Sequence, residues 1–161
     1  MEFHRLGIIE KLPQMIAVQA EKSDAVKRAF ESGGELQAVS GETVADSISV
    51  SMPRDGMAAV MAIRDSHGFA VSVTDAEILA AIPAVARGSN VFAEPAAAAT
   101  YAGLKKAAAE GKIKENESAV LLISGNGLKD VASAMKSAGK PFIINPDMGE
   151  LRKLVADNKL A

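Results

Sequence analysis

Apolar residues follow two rhythms along this chain. Some gather in short continuous runs: "MIAVQ" at 15–19, "FAVSV" at 69–73, "SAVLLIS" at 118–124 and "PFIINPD" at 141–147. Such runs read as buried strands. Between them, apolar positions recur every three or four residues, the spacing of a helix with one buried face. Ala25, Val26, Ala29 and Phe30 set the first such face, with Ser23 as its expected cap and Gly33 and Gly34 as its stop. Residues 35–55 show no period and read as an irregular link. A helix is expected from about Gly56 to Asp65, stopped by Gly68. Thr74 and Glu77 form a capping box, and their helix runs to about Arg87 across Pro83, a point of kink or break. Pro95 suits the first turn of "EPAAAATYAGLKKAAAEG". Further helices are expected from about Leu128 to Ser137 and over "MGELRKLVADNKL". Strands alternating with helices predict an α/β fold, an open, mostly parallel sheet flanked by helices. The whole of 1–161 reads as a single α/β domain or fragment, with no linker long enough to divide it.

Composition narrows the function. The chain is 48% hydrophobic but only 4% aromatic, so its core rests on Ala, Val, Ile, Leu and Met. With 18 basic and 20 acidic residues the formal charge is −2. That balance builds no concentrated positive field for nucleic acid. Cysteine is absent, which removes disulfides, thiolate nucleophiles and thiolate metal ligands. No apolar stretch approaches the roughly 18 residues of a membrane span, and the N-terminus has no signal-peptide pattern. A cytoplasmic protein with neither nucleic-acid nor membrane partners is expected.

Candidate chemistry concentrates in "AVLLISGNGLKD", 119–130. Open α/β sheets bind ligands beyond the carboxyl ends of their strands. Gly125 and Gly127 would allow a tight turn and close backbone approach, Ser124 adds a neutral hydroxyl, and a helix start follows. An ordinary strand-to-helix turn accounts for the same residues, because this is no phosphate-loop or dinucleotide fingerprint. Glu94 reads as a carboxylate at the start of a helix, where the dipole favours it. His67 could touch a ligand or end a helix in solvent. The two histidines, far apart, make no metal site. Lys129 lacks the surroundings that would activate a Schiff-base lysine and reads as a solvated side chain. Asp46, Asp55 and Asp65 form no evident pair.

Taken together and in order, "VQAE" (18–21), "ETVADSISVSMP" (42–53), "AIRDSHGFAVSVTDAEILAA" (62–81), "VFAEPAAAATYAGLKKAAAEGKI" (91–113) and "LLISGNGLKD" (121–130) resemble the C-terminal portion of threonine synthases. These are pyridoxal-phosphate enzymes of the tryptophan-synthase β-like fold, fold type II. The resemblance implies that Ser124 is the hydroxyl residue that bonds the pyridine nitrogen, with Gly125, Asn126 and Gly127 shaping the wall beside it. Ser47 to Pro53 match a segment near the substrate side, and Glu94 matches the head of the helix behind the cofactor, in substrate-side or structural roles. A neutral partner leaves the ring nitrogen free to lose its proton, which tempers the electron sink.

The family's Schiff-base lysine and its phosphate-gripping glycine loop lie in earlier segments that this sequence does not contain. No residue here inherits the lysine's role, so no catalytic residue is assigned and the lone chain is expected to be inactive. The complete enzyme would use pyridoxal 5′-phosphate to convert O-phospho-L-homoserine and water into L-threonine and phosphate. Alone, the chain would hold only half of that cofactor site. Homo-oligomerisation, or a partner chain carrying the N-terminal half, is expected over a monomer, because half a shared sheet exposes apolar surface. The alternatives are a noncatalytic small-ligand or protein-interaction module on the same fold, and a fragment of threonine dehydratase type.

Overall fold

A computed structural model describes residues 2–158. In chain order its elements are α1 (Glu2–Arg5), β1 (Ile16–Ala20), α2 (Ala25–Ser32), α3 (Gly56–Asp65), β2 (Phe69–Val73), α4 (Asp75–Ser89), α5 (Pro95–Ala109), α6 (Val131–Ala138) and α7 (Met148–Asn158), with single 3-10 turns at Asp46–Ile48 and Gly127–Lys129. β1 and β2 pair in parallel, with Ile16 opposite Phe69 and Ala20 opposite Val73.

The period-two alternation of the strands sorts side chains between two cores. Val71 and Val73 of β2, with Ala20 of β1, meet Ile78, Ala81 and Ile82 of α4 and the alanines of α5. On the other face Ala70 joins Val26, Ala29, Val60 and Ile63 of α2 and α3. The result is a parallel pair covered on both sides, the α/β arrangement the alternation predicted. Alanine serves a specific purpose in α5, which lies close against the sheet. A Cβ on Gly103 would stand 2.5 Å from Val18 Cγ2, so only glycine fits there without a shift.

Several local signals are realised as written. Gly33 ends α2 with φ 70°. The capping box is complete: Thr74 Oγ1 accepts from the Glu77 N–H at 3.2 Å, and Glu77 Oε2 accepts from the Thr74 N–H at 2.7 Å. Pro95 opens α5, and α4 continues through Pro83 to Ser89. Ser23 is not the cap of α2. Asp24 stands at that position, and the Ser23 hydroxyl instead lies 2.7 Å from the Ile48 carbonyl and 2.9 Å from that of Val50, donating its one proton between them, and accepts from the Val50 N–H. It ties the irregular link to the carboxyl end of β1.

The expected strands at 118–124 and 141–147 are not formed. Both runs are irregular, and Val120, Leu122 and Ile143 are 96%, 77% and 93% exposed. A strand exists through its ladder partner, and an apolar run without one keeps only its tendency to extend. Near them lies a single antiparallel bridge, Ala93 to Asn126. The helix expected from 128 begins instead as the 3-10 turn, then restarts as α6 after Asp130, whose carboxylate accepts from the Ser133 N–H at 3.0 Å. Among the described residues no helix is long and apolar enough to cross a membrane.

Candidate functional site

The irregular link 35–55 folds over the carboxyl ends of β1 and β2. The Gly41 N–H donates to the Lys22 carbonyl at 2.7 Å, the Thr43 hydroxyl donates to Asp75 at the start of α4, and Ser23 holds the 48–50 backbone. These anchors carry Ser47 to the start of α5. There its hydroxyl makes a long contact, 3.5 Å, with Glu94 Oε1.

Glu94 is the centre of the arrangement. Its side chain is 7% exposed, yet it makes no capping hydrogen bond to α5. A buried carboxylate requires partners. Besides Ser47, Lys129 Nζ approaches Glu94 Oε2 at 3.1 Å, from a side chain that is 63% exposed. The helix dipole favours the same negative charge. Lys129, expected in solvent, is therefore the counterion of a buried acid.

The Ser-Gly-Asn-Gly turn rests directly on this carboxylate. The Glu94 N–H donates to the Gly125 carbonyl at 3.0 Å, and the Gly127 N–H donates to the Phe92 carbonyl at 2.8 Å. A Cβ on Gly125 would lie 1.9 Å from Glu94 Oε1, and one on Gly127 would lie 2.6 Å from the Phe92 ring. Neither glycine has a positive φ. Their lack of a side chain serves packing of the turn onto residues 92–94, where the sequence suggested conformational freedom and ligand approach. Asn126 is exposed, and its Oδ1 accepts from the Leu128 N–H at 2.9 Å, which stabilises the 3-10 turn.

Ser124 is exposed, and its hydroxyl makes no hydrogen bond among the described residues. It lines an open cleft of about 340 Å³ with Asn90, Val91, Phe92, Ile123, Gly125 and Asn126. Apolar surface from Val91, Phe92 and Ile123 beside polar groups of Asn90, Asn126 and the free Ser124 hydroxyl makes a mixed lining that can receive a flat, partly polar ring.

Ser47, Glu94 and residues 125–127 thus come together, with Ser124 at their edge. Pro53 packs instead against Gly56 at the start of α3. His67, φ 54°, lies at the opposite end of the sheet, between α3 and the amino end of β2, where its carbonyl accepts from the Gln14 side chain. Among the described residues no three His, Cys, Asp or Glu side chains gather as a metal site. Sequence reasoning missed Phe92 and the role of Lys129. One signal was present: Glu94 stands between "VFA" and "PAAAA", a charge inside an apolar run that must find a counterpart.

Comparison with known proteins identifies the family. The profile of the family described as pyridoxal-phosphate dependent enzyme matches residues 3–125. Threonine synthase of Methanocaldococcus jannaschii is 36% identical over 97% of this chain and 39% of its own length. That of Mycobacterium bovis is 39% identical over 84% of this chain and 36% of its own length. That of Halalkalibacterium halodurans is 41% identical over 78% of this chain and 34% of its own length. The chain spans less than two fifths of these relatives. In structure it is similar to the T.th. threonine deaminase, with TM-score 0.50 and 20% identity over 60% of this chain and 35% of that one, a likeness of fold.

Proposed function

Because the chain belongs to the family of pyridoxal-phosphate dependent enzymes, we propose that it forms the ring-nitrogen side of a cofactor site in a threonine synthase-like enzyme. Residues outside this sequence, on the same polypeptide or a partner, complete that site. The carrying observation is the convergence of three separated segments, at Ser47, Glu94 and 124–127, beside a cleft edged by a free hydroxyl.

The residues fit one side of the group. Pyridoxal phosphate, when bound, supplies an electron-withdrawing ring that acidifies hydrogens of an attached amino acid. Ser124 would donate to, or accept from, the ring nitrogen without imposing a charge. Phe92 and Ile123 would form the apolar wall, and Gly125 would hold the turn against Glu94. Ser47 would stand toward the substrate. The Schiff-base lysine and the phosphate-binding loop would come from elsewhere. The whole enzyme's reaction would convert O-phospho-L-homoserine and water into L-threonine and phosphate. Relatives named threonine synthase at 36–41% identity favour that reaction over deamination, because the deaminase likeness is one of fold alone.

The test is co-expression with the N-terminal portion of a related threonine synthase, followed by cofactor titration and phosphate release from O-phospho-L-homoserine. Phosphate release that Ser124→Ala lowers by at least about tenfold, one lost hydrogen bond to a polar ring atom in a dry site, supports the reading. Saturable cofactor binding on the purified chain alone, trapped by borohydride on one lysine, would refute the half-site.

A further inference from the structure

Glu94 and Lys129 form a feature that the proposed function does not by itself require. A hydroxyl can face a ring nitrogen without a buried acid behind it. Here the acid lies against the residue next to Ser124, with both carboxylate oxygens within 2.5 Å of where a Gly125 Cβ would stand. An uncompensated negative charge at that depth is costly and would also attract a proton or cation to the adjoining cleft. Lys129 reaches it from the far end of the same turn, four residues beyond Gly125, and Nζ closes to 3.1 Å.

We infer that Lys129 is a positioning residue: its ammonium neutralises Glu94 and closes the 124–129 turn onto the start of α5, so that the wall presented to the cleft is both fixed and neutral. The inference rests on reading that turn as the ring-nitrogen wall. Its geometry is a three-point clasp. Glu94 receives Lys129 through its carboxylate and donates its own N–H to the Gly125 carbonyl, while the Gly127 N–H reaches the Phe92 carbonyl. Removing the ammonium leaves a buried carboxylate whose remaining side-chain partner is the long Ser47 contact. The carboxylate then turns toward solvent, past the backbone of 125, and loosens both amide bonds.

Two amides read the clasp directly, those of Glu94 and Gly127. Their hydrogen exchange is measured by NMR on the chain without added cofactor, with the β1–β2 amides as the reference for global opening. Lys129→Met is expected to speed both by about fivefold relative to that reference, the upper end for an ion pair with one partner in solvent. Lys129→Arg should restore protection, since it keeps the charge and the reach. Glu94→Gln combined with Lys129→Met should restore it too, because the uncompensated charge is gone. A merely spatial role for the lysine stem predicts no rescue by the glutamine.

Unchanged exchange in Lys129→Met would overturn the inference. So would failure of either rescue, or acceleration of the reference amides to the same degree. No arm uses the cofactor or the reaction, so failure of the proposed function would leave this result standing.

Discussion

Gly125→Ala is the most direct probe of how the turn meets α5. Gly125 does not occupy the left-handed region, so the backbone tolerates alanine and the cost is purely spatial. The new methyl would stand 1.9 Å from Glu94 Oε1, 2.0 Å from Cδ and 2.5 Å from Oε2. Two movements relieve this. The turn can lift, which gives up the Gly125–Glu94 and Gly127–Phe92 backbone bonds, about 2 kcal/mol in all at a typical net value. Alternatively the carboxylate can swing out. That gives up the Lys129 bond, about 1 kcal/mol because the lysine is solvated and its charge screened, plus part of the packing around the glutamate. The two routes bracket a loss of about 1–2 kcal/mol, the swing of the carboxylate being the cheaper.

Urea unfolding followed by far-ultraviolet circular dichroism measures this as a shift in midpoint at unchanged slope. The decisive comparison is Gly125→Ala in a Glu94→Ala background, where no carboxylate meets the methyl. Its cost should fall to about zero, giving a coupling energy of about 1–2 kcal/mol. If the glycine substitution costs the same in both backgrounds, to within about 0.5 kcal/mol, the steric account of this turn is wrong.

Two further outcomes are expected. The Thr74 backbone N–H donates to Glu77 and holds its pKa below the ordinary 4.5, against a smaller opposing effect of burial. A carboxyl depressed in the folded state contributes stability above its unfolded pKa and loses it as pH falls through the folded value. Glu77→Gln should therefore flatten the acid side of the stability profile from about pH 5 downward, and parallel profiles for the two proteins would contradict the capping box. The exposed runs around Val120, Leu122 and Ile143 should drive association of the isolated chain. Light scattering should show its mass rising with concentration and Val120→Lys with Ile143→Lys reducing the rise, whereas a monomer at every concentration would argue against an unsatisfied interface.

What the sequence discloses depends on the range of the interaction. Thr74 with Glu77, Gly33 and Pro95 act within one helical turn, and each stands where the pattern predicts. The two strands that pair, 16–20 and 69–73, were equally legible because each is covered on both faces. The runs at 118–124 and 141–147 carry the same apolar content and form no strand, since a ladder partner is a property of the surroundings and leaves no mark on the run itself. Ser23 has the chemistry of a cap, but a loop twenty-five residues away competes for its hydroxyl. The candidate site combines local and distant contacts. Ser47, Glu94 and the Ser-Gly-Asn-Gly turn were identified through resemblance, while the Lys129 partnership required the fold to close a gap of thirty-five positions. The glycines of the turn pack onto Glu94 and Phe92, a contact set by the fold that leaves no mark on the local pattern.

The pairing of β1 with β2 also sets the order in which this chain can assemble. Each rung joins residues more than fifty positions apart, so closing that loop must precede any reward from the ladder. The unit from Thr74 to Ala109 faces no such delay: α4 and α5 are consecutive, α4 opens on its capping box and α5 on Pro95, and they share one apolar seam. That hairpin of helices is the expected nucleus, and β2, immediately before it in the chain, is expected to dock on it next. β1 comes last, from a distance, with Val18 finding the gap left by Gly103. A side chain at 103 would therefore weaken the final docking while leaving the helical nucleus intact, and is expected to speed unfolding more than it slows folding, so the glycine governs a lifetime as well as a fit.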